Sequence, residues 1–100
     1  MKTIPFHQVT DFYSRNQPAG HWFDAASCKF FKTVLPDVAY ETTAGVLFIT
    51  RETNPSGLKR FSVRRQLVSG EIETVGDFHC YTSKAWALKA ITQLDKGEPV

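Results

Sequence analysis

The sequence predicts an α+β fold: a four-stranded antiparallel meander sheet packed against N- and C-terminal helices. Three observations lead there. The residue period changes from helical to two near residue 37, turn-forming residues recur between the alternating stretches, and a capped helix with an apolar stripe closes the chain. One face of such a sheet must be covered, and helices from the two chain ends are the available cover.

The elements follow in order. Phe6, Val9, Phe12 and Tyr13 fall on one helical stripe, which predicts a short helix over residues 5–16. Pro5 suits its first turn, where a missing N–H costs nothing, and Pro18 and Gly20 end it. Asp24 or Ser27 caps a second helix whose apolar side holds Ala26, Phe30, Phe31 and Val34, with Pro36 as its stop. The run Phe30–Phe31 fits a strand as well.

The strands are read next. Val38, Tyr40 and Thr42 alternate with Asp37, Ala39 and Glu41, and Ala44–Gly45 reads as a turn. The β-branched and aromatic run over residues 46–52 is the second strand, and Asn54, Pro55, Ser56 and Gly57 form the next turn. In the strand over 60–68, Phe61, Val63 and Leu67 share one face, while Ser62, Arg64 and Gln66 share the other, read as outward. Ser69–Gly70 is a tight hairpin turn. The return strand over 71–81 places Ile72, Thr74, Phe78 and Cys80 on one face, with Gly76 marking a bulge or a close backbone approach. Residues 38–42 and 71–80 are expected at the sheet edges, where pairing with a second copy is open to them. The oligomeric state, monomer or homodimer, stays open.

The closing helix is the plainest element. Thr82 or Ser83 caps it, it runs to about Asp95, and Ala87, Ala90, Ile91 and Leu94 form its buried stripe. Trp86 lies one turn before Ala90, Lys84 and Lys89 point outward, Gly97 caps the C-terminus and Pro99 prevents continuation.

At 100 residues the chain is the size of one domain, 1–100. A domain of this size hides roughly 65% of its unfolded surface. With 42% hydrophobic and 13% aromatic residues it can build a core without metals or disulfides. The net charge of +2 gives no overall polyanion-binding character and excludes an acidic DNA mimic. Two cysteines, Cys28 and Cys80, are not a disulfide framework. There is no apolar run of signal-peptide or membrane-spanning length, so the expectation is a cytoplasmic protein with reduced thiols and no membrane partner.

Catalytic, metal and cofactor chemistry is not expected. Cys28, Cys80, His7, His21 and His79 lack paired metal-ligand spacing, and His79 and Cys80, as strand neighbours, point to opposite faces. That alternation also keeps His79 from activating Cys80 as a nucleophile. No serine has a nucleophile-elbow context, and the six glycines form neither a P-loop nor a dinucleotide fingerprint.

The basic residues carry the main interaction signal. Arg51, Lys59, Arg60, Arg64 and Arg65 come from two strands that a hairpin places side by side. Such a ribbon suits a phosphate backbone or an acidic protein surface. Alternation sends Arg64 and Arg65 to opposite faces, and the one on the Phe61/Val63 face either snorkels to the rim or pairs with Glu71, Glu73 or Asp77 across the hairpin. Most aromatics are needed for the core. Trp22–Phe23 and Tyr81 are the ones expected at the surface, where aromatics anchor interfaces. The candidate interaction set is therefore Arg51, Lys59, Arg60, Arg64, Trp22 and Tyr81.

The order of short signatures resembles an uncharacterised family of small proteins encoded by phages, plasmids and other mobile elements of Gram-negative bacteria. The pieces are Trp22–Phe23, Phe30 through Thr33, Gly45 through Glu52, Arg60 through Arg65, Gly70 through Phe78, and Tyr81 leading into an alanine-containing helix. The resemblance covers about residues 22–92 and leaves the first twenty outside it. It implies a mobile-element accessory protein and brings no catalytic residue. The expectation is a non-enzymatic protein that binds a host protein or protein–nucleic-acid complex and inhibits it by steric blockade, as anti-CRISPR and anti-restriction proteins do. The alternative is a weak nucleic-acid-binding accessory or regulatory protein that uses the basic ribbon.

Overall fold

The computed structural model describes residues 1–9, 25–67, 72–77 and 80–98. Its centre is an antiparallel sheet of five strands in sequence order: β1 (Lys2–Pro5), β2 (Val38–Thr42), β3 (Gly45–Thr53), β4 (Lys59–Gln66) and β5 (Ile72–Thr74). A six-residue helix α1 (Ala25–Phe30) precedes β2, and α2 (Lys84–Asp95) closes the fold.

The extra strand corrects the four-stranded expectation. Residues 2–5 pair with β2 in register Lys2↔Glu41 to Pro5↔Val38, so β2 is internal and β1 takes its expected place at the edge. The helix expected from residue 5 is replaced there by this strand and one 3₁₀ turn, Phe6–Gln8. The reason is Pro5, whose extended backbone (ψ 137°) suits the end of an edge strand as well as it would a helix start. Residues 10–16 of that predicted helix lie outside the described residues.

The second correction concerns covering. Both faces of the sheet are buried, each by a different chain end. On one face Leu47, Ile49 and Val63 meet Ala87, Ala90 and Ile91 of α2, with Tyr40 beside them. Two alanines on the contact stripe bring the helix close to the strands. On the other face Phe48, Ala39, Ile4 and Ile72 meet Val9 and Cys28, and Phe6 stacks edge-on against Phe48 with ring centroids 5.0 Å apart. Hence α1 buries Cys28, not the expected Phe30, which is 66% exposed. The helix also stops before Pro36, because Lys32 takes a left-handed conformation (φ 49°) two residues after Phe30.

Local chemistry fixes the turns. The β2–β3 loop is Thr43–Ala44, one residue earlier than expected, because Gly45 is already paired with Thr42 at φ 107°. Thr43 ties this loop to the end of α2, its N–H donating to Asp95 Oδ1 at 3.0 Å. Asn54 organises the β3–β4 turn: its side-chain oxygen accepts from the N–H groups of Ser56 (3.0 Å) and Leu58 (2.9 Å). The Ser69–Gly70 turn lies outside the described residues. The return strand is shorter than expected. Val75 N–H donates to Val63 O just beyond β5, and among the described residues the next pairing with β4 is at Tyr81, which bridges Phe61. Ser83 caps α2 through its side chain, and Gly97 and Glu98 close the C-terminus with N–H bonds to Leu94 and Gln93, a Schellman motif.

Candidate functional site

Strand alternation splits the basic ribbon. In the β3–β4 register Arg51 faces Phe61 and Thr53 faces Lys59, which puts Arg51 and Lys59 on the α2 face. Glu52 faces Arg60 and Phe48 faces Arg64, which puts those two arginines on the opposite face. Arg51 and Lys59 are exposed. Arg60 is half-buried and donates from Nη1 to the Lys59 carbonyl at 2.9 Å.

Arg64 corrects the expected outward face of β4. It is 2% exposed, and Ser62 beside it is fully buried, because the N-terminal segment covers that face. Its guanidinium donates to buried Glu52 and Thr50 and to half-buried Thr74: Nη2 to Glu52 Oε2 at 3.1 Å, Nε to Thr50 Oγ1 at 3.0 Å and Nη1 to Thr74 Oγ1 at 2.6 Å. Ser62 Oγ donates to the other Glu52 oxygen at 2.7 Å. Burial lowers the Arg64 pKa from its ordinary value, and the Glu52 carboxylate works against that shift. Arg65, on the Phe61/Val63 face, pairs with Glu73 at 2.6 Å and donates to the Ala44 carbonyl at 3.2 Å. Both arginines of the pair are thus engaged across strands: Arg65 with a partner the hairpin suggested, Arg64 with one it did not.

Tyr81 is half-buried against Phe61, with reciprocal backbone bonds of 2.8 and 3.0 Å. Burial raises its phenol pKa, and the Cys80 thiol beside it adds to the rise. Trp22 lies outside the described residues.

Of these residues Arg51 lines an open cleft of roughly 190 Å³. It forms because β2 pairs with β3 only from Tyr40 to Thr42, and the chain entering β2 swings away from Ile49. Beyond the gap, Val34 bonds back to Arg51 (2.8 and 3.2 Å), closing the outer edge of β3. The link residues Leu35, Pro36 and Asp37 form one wall, and Ile49 and Phe61 form the floor. Arg51 and Lys84, the first residue of α2, supply positive charge to the lining. Among the described residues neither Arg51, Lys59 nor Lys84 makes an ion pair. Val34 and Leu58 stand 45% and 44% exposed at this end of the sheet. Lys84 was read only as outward-pointing; its cleft position needs the link to cross beside β3, which no local pattern announces.

Among the described residues no group of three or more His, Cys, Asp or Glu side chains is placed to hold a metal ion. Cys28 is buried and Cys80 exposed, and neither is in a disulfide. No helix among those residues is long and apolar enough to cross a membrane.

A five-stranded antiparallel sheet covered on both faces, with an open cation-lined cleft where two strands diverge, defines a small α+β protein. The chain belongs to DUF7447, a family of unknown function, whose profile matches residues 7–92. The match starts at residue 7, so most of the first twenty residues, which the resemblance left outside, fall within the family's span. No curated protein and no solved structure matches the chain.

Proposed function

We propose that this protein acts by binding: it docks the cleft end of its sheet on a partner protein complex and blocks a surface that the complex needs. The observation that carries this reading is the juxtaposition of Arg51, Lys59 and Lys84, none of them ion-paired among the described residues, with exposed Val34 and Leu58. Of these residues Arg51 weighs most, because arginine is enriched at protein interfaces and among their hot spots. In the mobile-element setting that the sequence resemblance implies, the partner is a host defence complex of the CRISPR or restriction type.

An interference assay tests this. Bacteria expressing the protein are challenged with a phage that their CRISPR or restriction system normally destroys. Restored plaque formation, lost with Arg51→Glu and Lys59→Glu, is the expected result. Absence of protection against every system tried would sink the inhibitor reading.

A nucleic-acid reading retains Arg51, Lys59 and Arg60, which cluster around the β3–β4 turn. Because Arg64 and Arg65 pair internally, that reading now predicts a shallow salt dependence, with a log–log slope no steeper than roughly −3 for three phosphate contacts. An electrophoretic shift of duplex or single-stranded DNA at low salt is its test.

A further inference from the structure

We infer that the cleft beside Arg51 is a recognition pocket for an acidic segment of the partner protein, one that offers an apolar side chain next to a carboxylate. The inference rests on the binding function proposed above and names the chemistry of the partner.

Ile49 and Phe61 give the cleft apolar lining, and a volume near 190 Å³ is below the roughly 300–1,000 Å³ of small-molecule pockets. Its lining holds two cations, Arg51 and Lys84, without ion partners among the described residues. The first turn of α2 has no acidic residue to neutralise Lys84. The outer side of the helix continues the same sign: Lys89 lies 5.0 Å over the ring of Trp86, which is 57% exposed. A carboxylate entering between Arg51 and Lys84 gains charge-assisted hydrogen bonds, most effectively to the guanidinium fork.

A nucleic acid fits less well. Asp37 in the lining repels phosphate and carboxylate alike, but a phosphate chain needs further cations along its length, and the next along the sheet, Arg64 and Arg65, are held by Glu52 and Glu73. A peptide accommodates Asp37, because its backbone N–H groups need an acceptor. The chain's own segments leave Arg51 no strand edge to offer, since its backbone is bonded to Val34, so recognition runs through side chains and not through an added strand.

The test is an amide NMR titration of the full chain with three probes: a short peptide of leucine flanked by glutamates, the same peptide with lysines, and an oligothymidylate. The glutamate peptide should shift the signals of Ile49, Arg51, Phe61 and Lys84 saturably, and the lysine peptide should not. Arg51→Glu and Lys84→Glu should each weaken the affinity about tenfold, the loss of one charge-assisted contact. Lys84→Glu places an acid at a helix N-terminus, where it is favoured, so this variant keeps the fold if Arg51→Glu does not. Unmoved signals at those four residues, equal responses to both peptides, or stronger binding of the oligothymidylate at the cleft would each overturn the assignment. The two readings fail separately. Phage protection that survives both variants removes the cleft and keeps the inhibitor, whereas peptide binding without any protection removes the inhibitor and keeps the pocket.

Discussion

Removing the Glu52 carboxylate is the most informative single change. Glu52 is fully buried and holds both Arg64 and Ser62. In Glu52→Ala the guanidinium keeps its hydroxyl partners Thr50 and Thr74 but loses the Glu52 carboxylate, its ion partner among the described residues, in a site 2% exposed. Breaking a buried pair from one side costs about 3–5 kcal/mol. A small domain has only about 5–15 kcal/mol in total. The expected fall in Tm is on the order of 20 °C, since each kcal/mol moves a domain of this length by roughly 4–8 °C. Replacing the pair together, Glu52→Leu with Arg64→Met, removes both charges and should recover most of that loss. Ser62, Thr50 and Thr74 then lose their hydrogen bonds to Glu52 and Arg64, which limits the recovery by about 1 kcal/mol for each hydroxyl. Urea and thermal melts followed by circular dichroism measure both variants. A single variant that loses less than about 1 kcal/mol, or a double variant no better than the single, would refute the account of a buried pair that is costly mainly when halved.

Four smaller changes probe other parts of the structure. Ser83→Ala removes the side-chain acceptor for Trp86 N–H and should cost about 1 kcal/mol in a urea melt. Asp95 accepts from Thr43 N–H and pairs with the terminal amine of Met1, and these contacts lower its pKa below 3.8, the first of them most. Its contribution is therefore fully present above pH 3.8 and fades as pH falls through the lowered folded value, so Asp95→Asn should destabilise at neutral pH and match the parent in strong acid. A thiol reagent should label exposed Cys80 at once and buried Cys28 only after denaturation; equal rates would contradict the packing of α1. Arg51→Ala and Lys59→Ala, at exposed side chains without ion pairs among the described residues, should each leave stability within about 0.5 kcal/mol of the parent.

Where structure is set by neighbours along the chain, the sequence is a good guide. The α2 cap, stripe and stop are local signals, and Ser83, Ala87, Ala90, Ile91 and Gly97 take the expected roles. The Asn54 turn and the opposition of Arg64 and Arg65 follow equally from short-range rules. What the sequence hides is non-local. A four-residue strand at the start of the chain has too few positions for a period to show, and Pro5 points as well to a helix. The polar face of β4 reads as solvated because Ser62, Arg64 and Gln66 are polar. Only the glutamate on the neighbouring strand, two positions before a turn whose geometry sets the register, shows that this face is buried. A cue was present in Glu52 itself, an acid on the same face of β3 as Phe48 and Thr50.

The two covered faces determine where binding can happen. In a meander with one open face, the free side of the strands is the natural docking surface, and Arg64 would belong to it. Here α2 occupies one side of the sheet centre and the N-terminal segment the other. Arg64 and Arg65, near the end of β4, are consequently structural, and Lys59 at its start is exposed. The same residue type thus has different surroundings within five positions: Arg60 is half-buried near the β3–β4 turn, while Arg64 is 2% exposed on the face that carries Phe48. Loss of function on changing Arg64 would report the core, and loss on changing Arg51, with stability intact, would report the partner. That contrast converts a basic stretch that is ambiguous as sequence into two separable sets of residues.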